Sequence, residues 1–402
     1  MKNGYRVIDS DAHIQDELCN WVDYVEPAFR DRRPRIEISD DKKLGWGKRY
    51  AKLLPCELFP EPREASSGLG RQGRSGRQLA SPQEFMPTKY GQACLDEWSA
   101  ESRLKDMDTY GWDKQVMITG IGGLGWSWSR AENRDQNLLW AFSRAWHNWC
   151  HDFASAHPKR LYPVVEIPRQ HDIDGMITET RRVVSQLGAV TAMMPGSSKT
   201  RPWEDPAYEP FWELAEELDF PVSFHGTNSG EPQTAARYQP RDSVPGQQTA
   251  LEHACRFPFE NMLSLAHLIY MGILDKHAKL RVVFMEGNAG WLPWWLSRLD
   301  DHAMETRRQG MWFDAPLLPL TPTEYFRRQG FVACDGDEGA LEGATLLGWE
   351  DHIVWNTDYP HPDAPDPDKA LDSFLSQPIS EDAKRKILWD NAARLFGPRI
   401  TD

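Results

Sequence analysis

The first predicted strand, residues 6–13 (RVIDSDAH), ends in a run of ionisable side chains. Asp9, Asp11 and His13 are spaced two residues apart, and alternation along a strand places such residues on one face. A half-buried strand normally carries valine or isoleucine there, because burying unpaired charge is costly. These side chains therefore either face water or bind something positively charged.

Three more predicted strands end in side chains of the same chemical types. His225 follows the run PVSF, Glu286 follows VVFM and Asp358 follows VWNT. One polar residue at a strand end is commonly a helix cap or a loop hydrogen bond. Asp11, His13, His225 and Asp358 together are harder to explain in that way, because the carboxylates would repel each other unless a divalent cation lay between them.

The donor atoms narrow the choice of metal. Two carboxylates and two imidazoles without a thiolate suit Zn²⁺, Mn²⁺ or Fe²⁺, and the sequence does not separate these ions. We take one divalent ion as the predicted cofactor, with Zn²⁺ as the first choice and Mn²⁺ or Fe²⁺ as alternatives.

The segments that must position these residues alternate between short apolar runs and longer stretches of helical period. The predicted strands are 6–13, 115–119, 161–167, 189–194, 221–225, 281–286, 330–335 and 352–358. The predicted helical stretches include 96–110, 131–156, 172–187, 206–219, 247–275, 338–347 and 381–395. Eight strands alternating with helices predict one α/β domain over residues 1–402, a (β/α)₈ TIM barrel whose catalytic groups project from the C-terminal ends of the strands.

Residues 34–95 interrupt the alternation as a long insertion after the first strand, and residues 61–82 within it are rich in glycine, serine and arginine. That stretch has little apolar surface to bury. We expect a lid over the barrel mouth or, by default, a disordered surface loop. Two GxGxxG matches, GLGRQG and GIGGLG, lack the strand–helix context and the downstream acid of a dinucleotide site, and we interpret them as glycine loops.

The composition is that of a globular chain, with 40% hydrophobic and 26% charged residues. A net charge of −14 argues against nucleic-acid binding, and no apolar run approaches a membrane span or a signal peptide. Six cysteines without a CxxC pair indicate reduced thiols, and we expect a cytoplasmic protein. The 18 tryptophans suit a pocket for an aromatic small-molecule substrate or, equally well, extra core packing.

Taken together, these residues resemble the amidohydrolase superfamily. The chain is most similar to the subgroup typified by aminocarboxymuconate-semialdehyde decarboxylase and the resorcylate and carboxyvanillate decarboxylases. The similar elements are Asp11-x-His13, His225, LDKHAKLRVVFMEGNAGWLPWWLSRLD (274–300), NTDYPHPD (356–363) and RKILWDNAARLFG (385–397). They span nearly the whole chain apart from the insertion.

The resemblance implies a distorted (β/α)₈ barrel that holds one divalent metal and commonly forms homodimers. His13 and His225 match the family's histidine ligands, and Asp358 matches the strand-8 aspartate that touches the metal and its water. Asp11 stands where many members have histidine and some Mn²⁺-type decarboxylases have glutamate. Glu286 departs from the pattern, because the well-known decarboxylases carry a histidine that acts on the substrate at that strand end.

Further residues near the predicted mouth have both a functional and a structural interpretation. Glu286 is a candidate general acid or base, or a salt-bridge partner of an arginine. His267, on an apolar helix, faces the substrate or is a core histidine, and His361 touches the substrate or caps its loop. The candidate walls of an aromatic pocket, with packing as the alternative, are Trp126, Trp128 and Trp291.

The departure at Glu286 makes hydrolysis the first functional hypothesis. A metal-activated water attacks a carbonyl carbon of a small aromatic or cyclic substrate, Asp358 accepts its proton, and Glu286 or His267 assists the leaving group. The alternative is non-oxidative decarboxylation of an aromatic hydroxy acid at the same metal site. A non-enzymatic barrel is the third hypothesis, and the four ligand types at four strand ends argue against it. Release of CO₂ from ortho-hydroxybenzoates separates the first two.

Overall fold

The computed structural model describes most of the chain. The described residues are 2–14, 20–33, 35–39, 50–54, 63–64, 82–119, 135–168, 172–197, 201–226, 238, 250–309 and 318–401. Within them, parallel strands form an inner barrel and helices surround it.

The predicted strands are present in the predicted order, and three further short strands, which were not predicted, lie between residues 35 and 64. The strands are β1 (Ile8–Ile14), β2 (Arg35–Ser39), β3 (Tyr50–Leu54), β4 (Arg63–Glu64), β5 (Lys114–Thr119), β6 (Leu161–Pro163), β7 (Val165–Glu166), β8 (Ala192–Met194), β9 (Val222–His225), β10 (Val282–Met285), β11 (Gly330–Cys334) and β12 (Ile353–Trp355). The helices are α1 (Pro82–Tyr90), α2 (Gln92–Leu95), α3 (Ala100–Tyr110), α4 (Gln136–Ser155), α5 (Ile173–Gln186), α6 (Glu209–Glu217), α7 (Ala250–Tyr270), α8 (Ile273–Lys276), α9 (Leu292–Gln309), α10 (Pro322–Gln329), α11 (Leu341–Leu346), α12 (Pro367–Leu375), α13 (Glu381–Arg385), α14 (Asn391–Phe396) and α15 (Pro398–Thr401).

Two parallel ladders form the barrel wall, β1–β5–β6 and β7–β8–β9–β10–β11–β12. Only Val164 separates β6 from β7, so these two pieces form the third predicted strand. The seam between the first and last strands is closed by backbone hydrogen bonds. The Asp358 N–H donates to the Asp11 carbonyl (3.0 Å) and the His13 N–H donates to the Tyr359 carbonyl (2.7 Å). The predicted (β/α)₈ barrel is confirmed.

Strand β1 departs from regular alternation. Its register against β5 shifts between Asp9 and Ala12, which marks a β-bulge. A bulge changes the direction of the side chains around it. The simple alternation that we predicted for Asp9, Asp11 and His13 therefore does not hold along the whole strand, and Asp9 has different partners from the other two.

Within residues 34–95, which we predicted to be an insertion, β2–β3–β4 form a small antiparallel sheet, and α1 and α2 follow it in the chain. Most of residues 61–82 lie outside the described residues, and the lid or loop role stays a prediction. The end of α1 contacts the barrel mouth. Lys89 Nζ donates to the Pro362 carbonyl (3.0 Å), and the Tyr90 hydroxyl donates to the His361 carbonyl.

Apolar side chains fill the N-terminal end of the barrel. Ile8 and Val116 from the first two barrel strands pack with Leu395 and Phe396 of α14. The helical stripe that the sequence predicts near the end of the chain is fully buried, at Ile387, Leu388, Ala392, Leu395 and Phe396. Burial of such side chains contributes about 1.5–3 kcal/mol each to stability.

Large aromatic residues make up much of the remaining core. The fully buried tryptophans include Trp21, Trp112, Trp146, Trp203, Trp212 and Trp355. For these positions the packing interpretation of the tryptophan-rich composition applies. Among the described residues, no helix combines the length and the apolar character that crossing a membrane requires.

Candidate metal centre

The C-terminal ends of three barrel strands bring the four predicted ligands together. Strand β1 supplies Asp11 and His13, β9 ends at His225, and Asp358 follows the end of β12. All four residues are at least nine-tenths buried. They come from the beginning, middle and end of the chain, and the barrel topology explains why they meet.

The distances between their polar atoms are short. His13 Nε2 lies 2.9 Å from Asp358 Oδ1 and 3.6 Å from Asp11 Oδ1, and His225 Nε2 lies 3.8 Å from Asp11 Oδ2. Two overlapping groups place their ligand atoms within 4.8 Å of one another, namely Asp11, His13 and His225, and His13, Glu286, Asp358 and His361. The structure thus joins Glu286 and His361 to the four predicted ligands.

The hydrogen bonding of His13 and Asp11 indicates where a cation would fit in this cluster. The Nδ1 of His13 lies 2.6 Å from the Thr119 carbonyl, which can only accept, so Nδ1 carries a proton; Nε2 is an acceptor whenever the ring is neutral, as it must be to bind a metal through that nitrogen. Asp358 Oδ1, another acceptor, faces that nitrogen. Among the described residues, no donor reaches either carboxylate oxygen of Asp11. Buried acceptors facing one another fit a divalent cation, and the two-carboxylate, two-imidazole donor set suits Zn²⁺, Mn²⁺ or Fe²⁺.

Burial and mutual charge set the protonation of these groups. Burial raises the pKa of Asp11 to about 6, although His225 and His13 act in the opposite direction. Burial by itself would lower the pKa of His13, but its hydrogen bond to Asp358 and the surrounding carboxylates raise that pKa to about 10. Burial raises the pKa of Asp358, yet His361 and His13 outweigh it and hold that pKa far below its usual range. Burial lowers the pKa of His225 and of His361, so among these three imidazoles only His13 is favoured in its charged form.

Asp9 supports the cluster from behind. Its carboxylate accepts hydrogen bonds from Gln115 Nε2 (2.8 Å), the Thr357 N–H (3.0 Å) and the Thr357 hydroxyl (2.6 Å). Thr357 directly precedes Asp358, whose backbone is left-handed at φ 55°. Asp9 therefore fixes the backbone that presents Asp358.

Glu286 and His361 lie at the centre of the site. Glu286 Oε2 is 2.5 Å from His225 Nε2. The His361 ring stacks on that of His13 with centroids 3.8 Å apart, and its Nδ1 is 2.9 Å from Asp358 Oδ1. Its Nε2 is buried and has no hydrogen-bond partner in the part of the chain that the structure describes. Both residues are thus in direct contact with the predicted ligands.

The structure does not bring every predicted site residue into this cluster. His267 Nε2 lies 2.7 Å from Glu204 Oε2, and its ring packs against Trp203. Trp291 packs edge-on against the buried Phe284. Trp126 and Trp128 lie outside the described residues. His267 and Trp291 thus have contacts that explain them without a ligand, because helix packing directs their side chains.

Two acids that the sequence reasoning passed over also end barrel strands. Glu166, at the end of β7, accepts a hydrogen bond from the Thr119 N–H (2.8 Å) and so holds the segment whose carbonyl orients His13. Asp335 follows β11 and accepts from Asn288 Nδ2 and Asn356 Nδ2, both at 2.9 Å. Both acids lie at the C-terminal ends of barrel strands, as Asp11 and Asp358 do, so the same sequence signal could have identified them.

Comparisons with known proteins agree with the fold. The chain is 26% identical over 309 residues to the γ-resorcylate decarboxylase of a Rhizobium species, covering 74% of this chain and 86% of that protein. It is 24% identical over 301 residues to the 2-amino-3-carboxymuconate-6-semialdehyde decarboxylase of Dictyostelium discoideum, covering 75% and 77%.

A solved structure gives the same fold. The 5-carboxyvanillate decarboxylase of Novosphingobium aromaticivorans, complexed with manganese and 4-hydroxy-3-methoxy-5-nitrobenzoic acid, superposes with a TM-score of 0.66 at 18% identity, covering 98% of this chain and 97% of that one. The family model described as amidohydrolase matches residues 94–397. With that match over most of its length, the chain belongs to the amidohydrolase family.

Proposed function

We propose that the protein is a metal-dependent carboxy-lyase that removes CO₂ from a small aromatic hydroxy acid. The observation that carries this proposal is the similarity to γ-resorcylate and aminocarboxymuconate-semialdehyde decarboxylases over about three quarters of the chain. The hydrolase that the sequence put first has no such support, and Glu286 at the end of β10 is compatible with either chemistry. The decarboxylase alternative becomes the main hypothesis.

In this proposal, Asp11, His13, His225 and Asp358 hold one divalent cation, and the manganese bound to the carboxyvanillate decarboxylase favours Mn²⁺. When bound, the cation would supply positive charge for the carboxylate and the adjacent hydroxyl oxygen of the substrate. The Phe257 ring lies edge-on to His225, with centroids 5.8 Å apart, and provides an apolar side wall for an aromatic ring.

The chain must also deliver a proton. Decarboxylation breaks the bond between the ring carbon and the carboxylate, leaves the electron pair on the ring carbon and adds one proton there, so the products are CO₂ and a hydroxyarene. His361 Nε2 is the candidate donor, because it is buried beside the cluster and its Nδ1 is close to Asp358 Oδ1. Asp358 thereby orients the ring and stabilises its protonated form.

The test is an assay of the Mn²⁺-loaded full chain with 2,6-dihydroxybenzoate, salicylate and 5-carboxyvanillate. We expect catalytic CO₂ release and, in D₂O, one deuterium at the vacated ring carbon by NMR. The Asp358→Asn variant serves as the negative control. Parallel incubations contain aryl amides, esters and lactones. Hydrolysis of one of these at catalytic rates, with no CO₂ from any acid, would overturn the proposal and restore the hydrolase hypothesis.

A further inference from the structure

We infer that Glu286 is a direct ligand of the same cation, which gives the centre five protein ligands with three carboxylates. The inference rests on the metal site of the proposed function and adds a ligand to it. Glu286 lies in a part of the chain that otherwise resembles the decarboxylases, at a strand end where that resemblance leads us to expect histidine.

The contact with His225 is the first argument. A His225 Nε2 that binds a cation through its lone pair has no proton to donate. Glu286 Oε2, only 2.5 Å away, is also an acceptor, and two acceptors at that distance repel each other. The repulsion is relieved if both atoms bind the same cation. Ligand atoms of one cation lie about 3 Å apart when the metal–ligand distances are about 2.1 Å.

The second argument is that the other pairs of ligand atoms show similar separations. His13 Nε2 is 2.9 Å from Asp358 Oδ1 and 3.6 Å from Asp11 Oδ1. Glu286 also offers a ligand atom within 4.8 Å of those of His13, Asp358 and His361. Glu286 therefore occupies the same ring of donors as the predicted ligands.

The backbone supports this placement. Glu286 has a left-handed backbone with φ 52°, a conformation that is costly for a residue with a Cβ and that persists only where the surroundings enforce it. On one side, Asn261 Nδ2 donates to the Met285 carbonyl (2.8 Å). The next residue is Gly287, where a Cβ would come within 2.4 Å of Asn261 Nδ2. Only glycine therefore fits beside Glu286 without moving Asn261.

The far end of the same loop is also fixed. The N–H groups of Ala289 and Gly290 donate to the carboxylate of Glu338, at 2.9 and 2.6 Å, and Asn288 Nδ2 donates to Asp335. A loop held at both ends in this way presents its acid in one position. Metal ligands need that kind of preorganisation, whereas an acid that transfers protons to a mobile substrate does not require it to the same degree.

The donor set then selects among metals. Three carboxylates and two imidazoles are more oxygen-rich than a typical four-coordinate zinc site. Carboxylate and water ligands suit manganese, and octahedral geometry is typical of such sites. We therefore expect the ratio of Mn²⁺ affinity to Zn²⁺ affinity to be higher for this centre than for a variant that lacks the Glu286 carboxylate.

The experiment is a calorimetric titration of chelator-treated full-length protein with MnCl₂. We expect Glu286→Gln to weaken Mn²⁺ binding by clearly more than about 100-fold, beyond the roughly 10–100-fold loss typical of residues that only orient a ligand. Glu286→Asp should retain part of the affinity. The matched control is Glu216→Gln, which removes the carboxylate from another glutamate–histidine contact, 3.2 Å from His277 Nδ1, and should leave the affinity unchanged.

A crystal structure of the Mn²⁺-loaded protein provides the second readout. We expect a Glu286 oxygen at about 2.2 Å from the ion. A Glu286 carboxylate separated from the ion by a water molecule, or a Glu286→Gln variant that binds Mn²⁺ as the wild type does, overturns the inference and leaves the proposed function standing. A wild-type protein that binds no divalent ion in the titration overturns both.

Discussion

The two ends of the barrel use the same strands for opposite purposes. At the N-terminal end, Ile8 of β1 packs in a dry cluster with Phe396. At the C-terminal end of the same strand, Asp11 and His13 are buried as deeply, among other charged groups. Burial of Ile8 stabilises the fold, whereas burial of Asp11 costs free energy that a bound cation would offset. One end therefore serves stability, and the other serves binding.

The largest expected effect, a loss of activity, comes from a substitution at the C-terminal end of the barrel, where the charged residues lie. Asp358→Asn should lower the decarboxylation rate by roughly 10³-fold, because it removes a predicted ligand and the group that orients His361. Steady-state kinetics measure the rate, and circular dichroism should show an unchanged fold. A variant with near wild-type activity would remove Asp358 from the mechanism.

At the apolar N-terminal end of the barrel, a substitution should lower the stability and leave the activity nearly unchanged. Phe396→Ala should lower the free energy of unfolding by about 3–5 kcal/mol, because the cavity left in a fully packed cluster is not refilled. Urea denaturation measures this loss, and kcat of the folded enzyme at low temperature should stay within about twofold. Leu347→Ala, at a residue that is 63% exposed, is the control and should change stability little. A comparable loss in both variants would contradict the assignment of stability to this end.

The pH dependence of stability sharpens the comparison at Glu338. Burial raises the pKa of this carboxyl to about 7 from 4.5, despite hydrogen bonds from Ala289 and Gly290. The folded state therefore binds more protons than the unfolded state between pH 4.5 and 7, and the free energy of unfolding falls as the pH rises through that window. Over this window the free energy of unfolding of the wild type should fall by an amount on the order of 2–3 kcal/mol, and the Glu338→Gln variant should lack this fall. Chemical denaturation at several pH values measures it, and identical slopes for both proteins would refute the expectation.

The smallest effect is expected at Asp9, which hydrogen-bonds to Thr357 and is not one of the predicted ligands. Asp9→Asn should weaken Mn²⁺ binding by about 10-fold, because the bonds that fix Thr357 beside Asp358 are disturbed while the ligands remain. Calorimetric titration measures the change. A loss as large as that of Glu286→Gln would place Asp9 among the ligands.

The sequence predicts most of the fold and the central part of the site. Alternation and strand-end chemistry identify the barrel, and they place His13 and His225 at one mouth because parallel strands share their C-terminal edge. They do not reveal the bulge in β1, which depends on pairing with β5 and separates Asp9 from Asp11.

Other features of the site also depend on tertiary contacts. The helix that carries His267 was predicted, but its rotation about its own axis was not, and that rotation directs His267 to Glu204. The hydrogen bond from Tyr90 to the His361 carbonyl joins residues 271 positions apart, and no local pattern indicates it.

The seam of the barrel has a consequence for how the protein is made. Asp11 and His13 are synthesised before Asp358 and the backbone groups that bond to them across the seam. Until Asp358 has been made, a nascent chain cannot assemble the complete ligand set. A complete metal site therefore requires a chain whose first and last barrel strands have already come together.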